Sequence, residues 1–352
     1  MSPRLTDWSI ALATFLAFIL GLVSLISGLP QEWIIFALHG IAGLWLLLLL
    51  WGKLRRVLPR LLHPKNWNRR TVFGLLALLF VSLTLGSGIW WVGGGEEYVA
   101  GFNLLNWHIV LGFVLTIAIM SHMFARFKWL RKRDVVGRRR ILHFSTLLLS
   151  GSVLWPTQQL AERTLRLSGA ERRFTGSRES GSYAANAFPT SSWVADQPHP
   201  IDMRTWQLVV RGAVSNPHNF SYDELTAGDM LEATLDCTGG FYSTQHWYGI
   251  SISRLLDAVG VNKDAQYVSF VSVTGYRWGL PLDEARHALL ATHASGEPLS
   301  HEHGFPLRLV ASGRRGFEWV KWITRVEVLT APDPAQALSI FTSSFTDAGR
   351  GK

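Results

Sequence analysis

The sequence predicts a membrane α-helical bundle of five transmembrane helices followed by a mixed α+β domain. Three observations carry that prediction. Apolar runs of membrane length are confined to roughly the first 160 residues, basic residues crowd alternate connections between those runs, and beyond about Glu162 the pattern breaks into short strand-like and helix-like segments. With 48% hydrophobic residues, 16 Trp and a net charge of +9 over 352 residues, composition alone would also suit a basic soluble protein. The distribution of the charge decides between the two.

Crossing ~30 Å of hydrocarbon takes roughly 20 helical residues. Runs of that kind occur at Trp8–Leu29, Trp33–Gly52, Val72–Val92, Leu105–Phe124 and Ile141–Trp155, the last shorter and extendable through Leu160. Lys53 to Arg70 contains no acid, and Arg126 to Arg140 contains only Asp134. Both connections are therefore expected to be cytoplasmic. The alternate connections, Leu29–Glu32 and Gly93–Tyr98, carry acids and no bases, and Trp33, Trp90, Trp91 and Trp107 would form an aromatic belt at that outer interface. The expected location is the cytoplasmic (inner) membrane, multi-pass, with the N-terminus cytoplasmic and the C-terminal domain periplasmic or otherwise extracytoplasmic. The lipid bilayer is then one partner. The basic balance reports topology, and no motif points to nucleic acid.

Downstream, Arg163–Asp202 is rich in Arg, Ser, Gly and Pro and reads as a linker merging into extended segments. Strands are expected at Thr205–Gly212, Leu231–Leu235, Tyr267–Val273, Pro306–Ala311 and Trp322–Leu329. Helices are expected at Ser221–Leu225, Ile252–Val259, which ends at Gly260, and Leu282–Leu290, which Pro281 opens. The residues from Ile201 to Ala331 suffice for one core.

Cys237 is the one cysteine of the chain. A solitary thiol cannot close an intrachain disulfide, so packing, reactivity or a metal accounts for it. It stands where a strand pattern meets Thr238-Gly239-Gly240, a break that lets another group approach the backbone. A thiolate so placed suits a soft or high-valent metal.

Five stretches carry a resemblance: Ile201-Asp202 with Trp206–Gly212, Leu235–Gly240, Trp247–Leu256, His303–Val310 and Gly316–Trp322. In order and spacing this array resembles the molybdopterin-binding domain of the sulfite oxidase family, including its periplasmic methionine-sulfoxide reductases. The resemblance implies a sulfite-oxidase-type fold over about Tyr183 to Pro332. It implies molybdenum-molybdopterin as cofactor, with Cys237 as the protein's ligand to molybdenum. Phe188, Thr190 and Ser192 match the segment lying along the cofactor, Thr238 adjoins the ligand, and His303 and Arg308 match positions that hold the group. Trp319, Val320 and Lys321 match a stretch at its phosphate end. A buried phosphate needs Arg, Lys or main-chain donors, because an unpaired interior charge is costly. Where the sulfite-oxidising enzymes carry Asn-Arg-Arg after the ligand, this chain has Gly240-Phe241-Tyr242. An aromatic wall of Phe241, Tyr242 and Tyr276 suits a neutral oxide such as a sulfoxide or N-oxide, small or protein-bound, with Arg277 the remaining candidate cation. Tyr242, Tyr276 and Arg277 join Cys237 as the candidate catalytic set.

Oxo transfer moves two electrons, and b-type haems held by neutral His nitrogens are a conduit for delivering them singly. His108 and His122 lie fourteen positions apart on the fourth span, which returns them to nearly one face about 21 Å apart along the axis. His39 is level with His108, and His143 with His122. One or two haem b groups are therefore expected, in a cytochrome b-like arrangement fed by quinol. The domain organisation expected is residues 1–160 transmembrane and cytochrome b-like, 161–200 linker and cofactor-contacting segment, 201–335 molybdopterin-binding oxidoreductase, and 336–352 tail.

Two alternatives stand beside this reading. Arg138-Arg139-Arg140 before an apolar run also resembles a twin-arginine export signal, in which case His143 belongs to the address. A membrane-anchored binding or scaffold module with the same fold, or a sulfite-type oxidase running in the opposite direction, would share the sequence pattern.

Overall fold

The computed structural model describes residues 2–346 except 64, 66, 126–127, 132–133, 135–136, 192–195 and 227, and except the side chains of 60, 69–70, 125, 138–141 and 143. The chain divides into two compact units, Met1–Gly176 and Ser177–Lys352.

The first unit is helical: α1 (Pro3–Ile26), α2 (Trp33–Leu61), α3 (Arg69–Gly93), α4 (Leu104–Ala125) and α5 (Arg138–Thr164). Helix starts follow local chemistry. Ser2 Oγ accepts the Leu5 N–H at 3.2 Å ahead of Pro3, and Asn68 Oδ1 accepts that of Thr71 at 3.1 Å. Four segments, Pro3–Ile26, Pro30–Pro59, Thr71–Gly93 and Leu104–Phe124, are long and apolar enough to cross a membrane, by length and composition among the described residues. α5 spans 27 residues with Pro156 inside and is more polar. α1 packs on α2 and α4, α3 on α4, and α2 on α5. Ile10, Ala13, Trp45, Leu46, Leu49, Val81 and Leu115 close the seam, while Phe15, Leu47, Leu79 and Ile117 are exposed, as a lipid-facing surface requires.

One expectation for this unit needs correcting, and one element is new. Trp91 is buried and donates from Nε1 to the Gly176 carbonyl at 3.1 Å instead of joining an exposed belt with Trp33 and Trp90. Downstream of the acidic stretch that follows α3 lies a two-strand hairpin, β1 (Tyr98–Val99) and β2 (Phe102–Asn103).

The second unit holds two sheets. Among the described residues one comprises β3 (Arg178–Glu179), β6 (Asp229–Asp236), β7 (Phe241–Ser251), β10 (Leu289–Ala294), β11 (Glu297–Pro298) and β12 (Arg308–Val310). The other comprises β4 (Leu208–Gly212), β5 (His218–Phe220), β8 (Tyr267–Ser272), β9 (Arg277–Pro281) and β13 (Ile323–Leu329). β7 pairs antiparallel with β6 and β10 and parallel with β3. Helices α6 (Tyr222–Leu225), α7 (Ile252–Val259), α8 (Leu282–Ala285) and α9 (Gln336–Thr342) flank the sheets. Ser251 Oγ caps α7 through the Arg254 N–H, and Gly260 at φ +66 ends it. The core joins both sheets through Leu235, Trp247, Phe270, Leu290, Leu309 and Val326.

The helix expected at Leu282–Leu290 is cut short at Ala285, and Leu289 begins β10. Ala288–Ala291 is buried between β7 and β12, and an unbroken apolar run has no period by which to tell helix from strand. The long strand β7 escapes the pattern for a different reason. Its inward positions include Ser243 and Gln245, both with no exposed surface. Gln245 Nε2 donates to Gly181 O at 2.7 Å and to Ser243 Oγ at 2.8 Å, while its Oε1 accepts from Ser295 at 2.7 Å. Satisfied polar side chains facing inward erase the alternation of hydrophobicity.

Candidate functional site

Cys237 follows β6 directly. Its N–H donates to Phe241 O at 2.9 Å and its carbonyl accepts from Gly240 N at 3.0 Å, closing the tight turn into β7 that seats Thr238. Gly240 takes φ +95, which a side chain would oppose. Gly316 abuts the turn from the other side, and a Cβ there would lie 3.1 Å from Cys237 Cα and 3.2 Å from Leu235 Cδ1. We predict that Gly316→Ala lowers stability by about 1–3 kcal/mol through overpacking, read as a shift of the denaturant midpoint.

The backbone of Cys237 is also tied by a buried ion pair. Arg315 donates to Asp236 Oδ1 at 2.7 Å and to the Cys237 carbonyl at 3.3 Å, and Ser177 Oγ donates to Asp236 Oδ1 at 2.7 Å. Cys237 is buried; its Sγ accepts from the Gly239 N–H and shares a hydrogen bond with Ser191 Oγ, in which either atom can donate, each at 3.3 Å.

Beside it lies the most unusual charge in the unit. Arg308 on β12 is 5% exposed and, among the described residues, makes no ion pair. One guanidinium nitrogen donates to the His303 carbonyl at 3.0 Å, and Nε has no partner. The group sits over three rings, those of Phe188, Trp247 and Trp319, at 6.0, 5.6 and 5.9 Å. Burial lowers its pKa to about 10, partly offset by the Cys237 sulfur. Cation–π contacts replace only part of the lost hydration, so the site favours an incoming anion.

His303 closes the same cluster. Its ring centre is 4.1 Å from that of Phe188. Because a carbonyl only accepts, Nε2 carries the proton that binds Phe188 O at 2.9 Å, leaving Nδ1 to accept from Ser300 Oγ at 2.7 Å. Burial lowers its pKa to about 4, so the ring is neutral at pH 7. Both ring nitrogens are occupied, and His303 holds the Phe188 segment in place. Lys321 Nζ donates to Ser191 O and Glu302 O, both at 3.0 Å, and lies 4.2 Å from the Trp322 ring centre. Burial, reinforced by the Arg308 charge, brings its pKa down to about 7.

Most of the residues singled out in the sequence thus meet. Cys237, Phe188, His303, Arg308, Trp319 and Lys321 form one connected set, with Thr238 in its turn and Tyr242 paired across from Asp236. Thr190 is exposed on the same segment, and Ser192 lies outside the described residues. The N–H groups of Trp319 and Val320 already donate to Gly316 O and Glu318 O, so these residues contribute a ring and a buried side chain. Tyr276 adjoins the set through its hydroxyl, which donates to Phe317 O at 2.7 Å, and burial raises its pKa. Arg277 faces elsewhere, its guanidinium 3.3 Å from Asp333.

The sequence reading did not single out Ser191, Asp236, Arg315 or Gly316 as site residues. Asp236 lies within the Leu235–Gly240 stretch and Arg315 just before Gly316–Trp322, but their pairing spans 79 positions and leaves no local trace.

In the helical unit, His39 and His108 lie with ring centres 6.0 Å apart. Nδ1 of His39 donates to Ala17 O at 2.8 Å and that of His108 to Thr84 O at 2.9 Å. Both rings therefore carry their lone pair on Nε2, with no partner for it among the described residues. His122 lies on α4 with Gly74 facing its ring, as Gly88 faces His108. His143 belongs to α5, but its side chain, like those of Arg138–Arg140, lies outside the described residues.

Comparison with known proteins gives this geometry a family. Residues 195–337 match the family model described as the oxidoreductase molybdopterin binding domain. An uncharacterized oxidoreductase, YuiH, of Bacillus subtilis (strain 168) is 32% identical over 160 residues, which is 43% of this chain and 81% of that protein. The chain belongs to the molybdopterin-binding oxidoreductases of the sulfite oxidase family. It is accordingly an oxidoreductase with a molybdopterin domain, and the binding-module alternative is set aside. Protein-methionine-sulfoxide reductase catalytic subunits, MsrP, of Xanthomonas campestris pv. campestris and Xanthomonas axonopodis pv. citri are each 31% identical over 146 residues. Those matches cover 36% of this chain and 45% of each relative's length. The crystal structure of the sulfane dehydrogenase SoxCD from Paracoccus pantotrophus aligns at a TM-score of 0.36 and 24% identity, over 38% of this chain and 40% of that one.

The residues present suit the family's cofactor. An orphaned, buried guanidinium nitrogen beside a solitary thiol answers a group that carries both phosphate and a thiophilic metal.

Proposed function

We propose that this oxidoreductase removes an oxygen atom from a sulfoxide or N-oxide on the periplasmic side of the cytoplasmic membrane, with electrons drawn from quinol. The observation that supports the reading is Arg308, a buried cation without a carboxylate partner among the described residues, beside the buried thiol of Cys237. The reaction balances as oxide plus two electrons and two protons giving the reduced product and water, while quinol yields quinone, two electrons and two protons.

Bound molybdenum-molybdopterin would supply the centre that accepts the oxygen atom. Cys237 would ligate it; Arg308 and Lys321 would neutralise the phosphate end. Phe188, Thr190 and Ser192 would line its length, with Thr238, Trp319 and Val320 shaping the walls and His303 pinning Phe188. Tyr242 and Tyr276 would bound the substrate side. Arg277 is neutralised by Asp333, which favours a neutral oxide over an anion such as sulfite.

His39 and His108 would hold one haem b. Their ring centres lie 6.0 Å apart, close enough for both rings to serve one iron, which would carry single electrons when bound. The carbonyl partner on each Nδ1 orients the ring and raises its basicity. His122 with His143 would hold a second haem. Residues 1–160 would form this cytochrome b-like membrane domain, 161–200 the linker and cofactor-contacting segment, 201–335 the molybdopterin domain and 336–352 a tail.

The test is the full chain purified in detergent. Stoichiometric molybdenum, reduced b-haem bands and oxidation of reduced viologen by sulfoxides or N-oxides support the proposal. Sulfite oxidation without sulfoxide reduction would reverse its direction. We further predict that His108→Ala removes one b-type signal from the reduced spectrum; an unchanged spectrum would rule His108 out as a ligand.

A further inference from the structure

We infer that the Ser191 hydroxyl tunes the Cys237 ligand: it donates a hydrogen bond to the sulfur and thereby raises the reduction potential of the metal that the sulfur binds. The inference rests on the reading of Cys237 as the molybdenum ligand.

Ser191 Oγ lies 3.3 Å from Cys237 Sγ. A thiol could donate across that distance, but a metal-bound thiolate has lost its proton. With the metal present, the hydroxyl is the donor and the sulfur the acceptor. The Gly239 N–H, also at 3.3 Å, gives the sulfur a second donor. The two differ in kind. The Gly239 amide belongs to the turn and is present whatever the side chains, whereas the hydroxyl comes from a separate segment 46 positions upstream.

That segment is held deliberately. Lys321 Nζ donates to the Ser191 carbonyl and, two residues earlier in the gap between them, Pro189 follows Phe188, whose carbonyl is fixed by His303. Lys321 and His303 thus position the backbone on both sides of the short stretch that delivers the hydroxyl. Ser191 is exposed as a residue, so its side chain fills little of the core, and its one directed contact with another side chain among the described residues is the sulfur.

The effect has a definite sign. A donor to a ligating sulfur draws electron density from it and weakens donation to the metal. The reduced, more electron-rich states gain relative to the oxidised one, so the potential rises. Removing the hydroxyl should lower it.

The experiment uses the full chain in detergent, comparing wild type with Ser191→Ala and Ser191→Thr. Molybdenum per chain is measured first, then the potential of the metal by titration followed through its paramagnetic Mo(V) resonance. The expected result is full molybdenum in Ser191→Ala with a more negative potential and an altered resonance, and wild-type values in Ser191→Thr, which keeps the hydroxyl. Where Ser191→Ala holds less metal than Ser191→Thr, the potential is read on its loaded fraction, and a more negative value there supports the inference. Full metal with unchanged potential in Ser191→Ala overturns it, as does metal loss in both variants. Wild type devoid of molybdenum would instead overturn the reading of Cys237 itself, and this inference with it.

Discussion

Cys237→Ala is expected to abolish oxygen-atom transfer and molybdenum retention while leaving the b-haem spectrum and the fold intact. Replacing a residue that merely orients a metal ligand costs about 10–100-fold, so deleting the ligand itself should cost on the order of 10³-fold or more. The fold should survive because the change removes one atom, and the neighbouring packing rests on Leu235, Trp247 and Trp319. A loss of stability of about 1 kcal/mol is the scale for so small a truncation. Metal analysis, turnover with reduced viologen and thermal unfolding check the three parts separately. Retained turnover would remove Cys237 from the chemistry; collapse of the fold would make it a packing residue.

Arg308→Met is expected to separate stability from cofactor binding in opposite directions. Burial lowers the Arg308 pKa from the ordinary arginine range to about 10, which amounts to about 3 kcal/mol against the charged form. Methionine spans a similar length without a charge. Cofactor-free protein should therefore be more stable than wild type by about 1–3 kcal/mol, the lost cation–π contacts and single hydrogen bond offsetting part of the gain. Loaded protein should show the reverse, because the cofactor's phosphate loses its buried partner. The linkage with pH has a fixed sign: a depressed folded-state pKa means the destabilisation is fully present below about pH 10 and fades as pH rises toward the ordinary arginine value. Urea unfolding of cofactor-free and loaded forms checks both halves. A cofactor-free variant less stable than wild type would mean that Arg308 is already satisfied by the protein.

Much of the architecture was legible before any coordinates. Helical spacing and the terminal Gly260 mark Ile252–Val259 as a helix, and both signals act within a few residues of chain. The apolar spans α1–α4 were equally plain, since hydrocarbon imposes length and composition on each helix separately. Elements whose identity depends on distant partners were not. β10 begins with Leu289, Leu290 and Ala291, which are buried on both faces while β7 and β12 pair along its two edges, and β7 hides polar residues that Gly181 and Ser295 satisfy.

The candidate site divides along the same line. The kind of chemistry could be read from Cys237, Arg308 and Lys321 in their motifs, because a lone thiol and basic residues near glycine-rich turns limit what can bind. Their working state could not. That Arg308 has no carboxylate partner among the described residues, that His303 spends both nitrogens on Ser300 and Phe188, and that Arg277 is neutralised by Asp333 are outcomes of packing. Residue type and spacing act over a turn or two of chain and specify which elements and ligands are available. Burial, desolvation and pairing arise between segments tens of residues apart, and they settle which charges stay free to act.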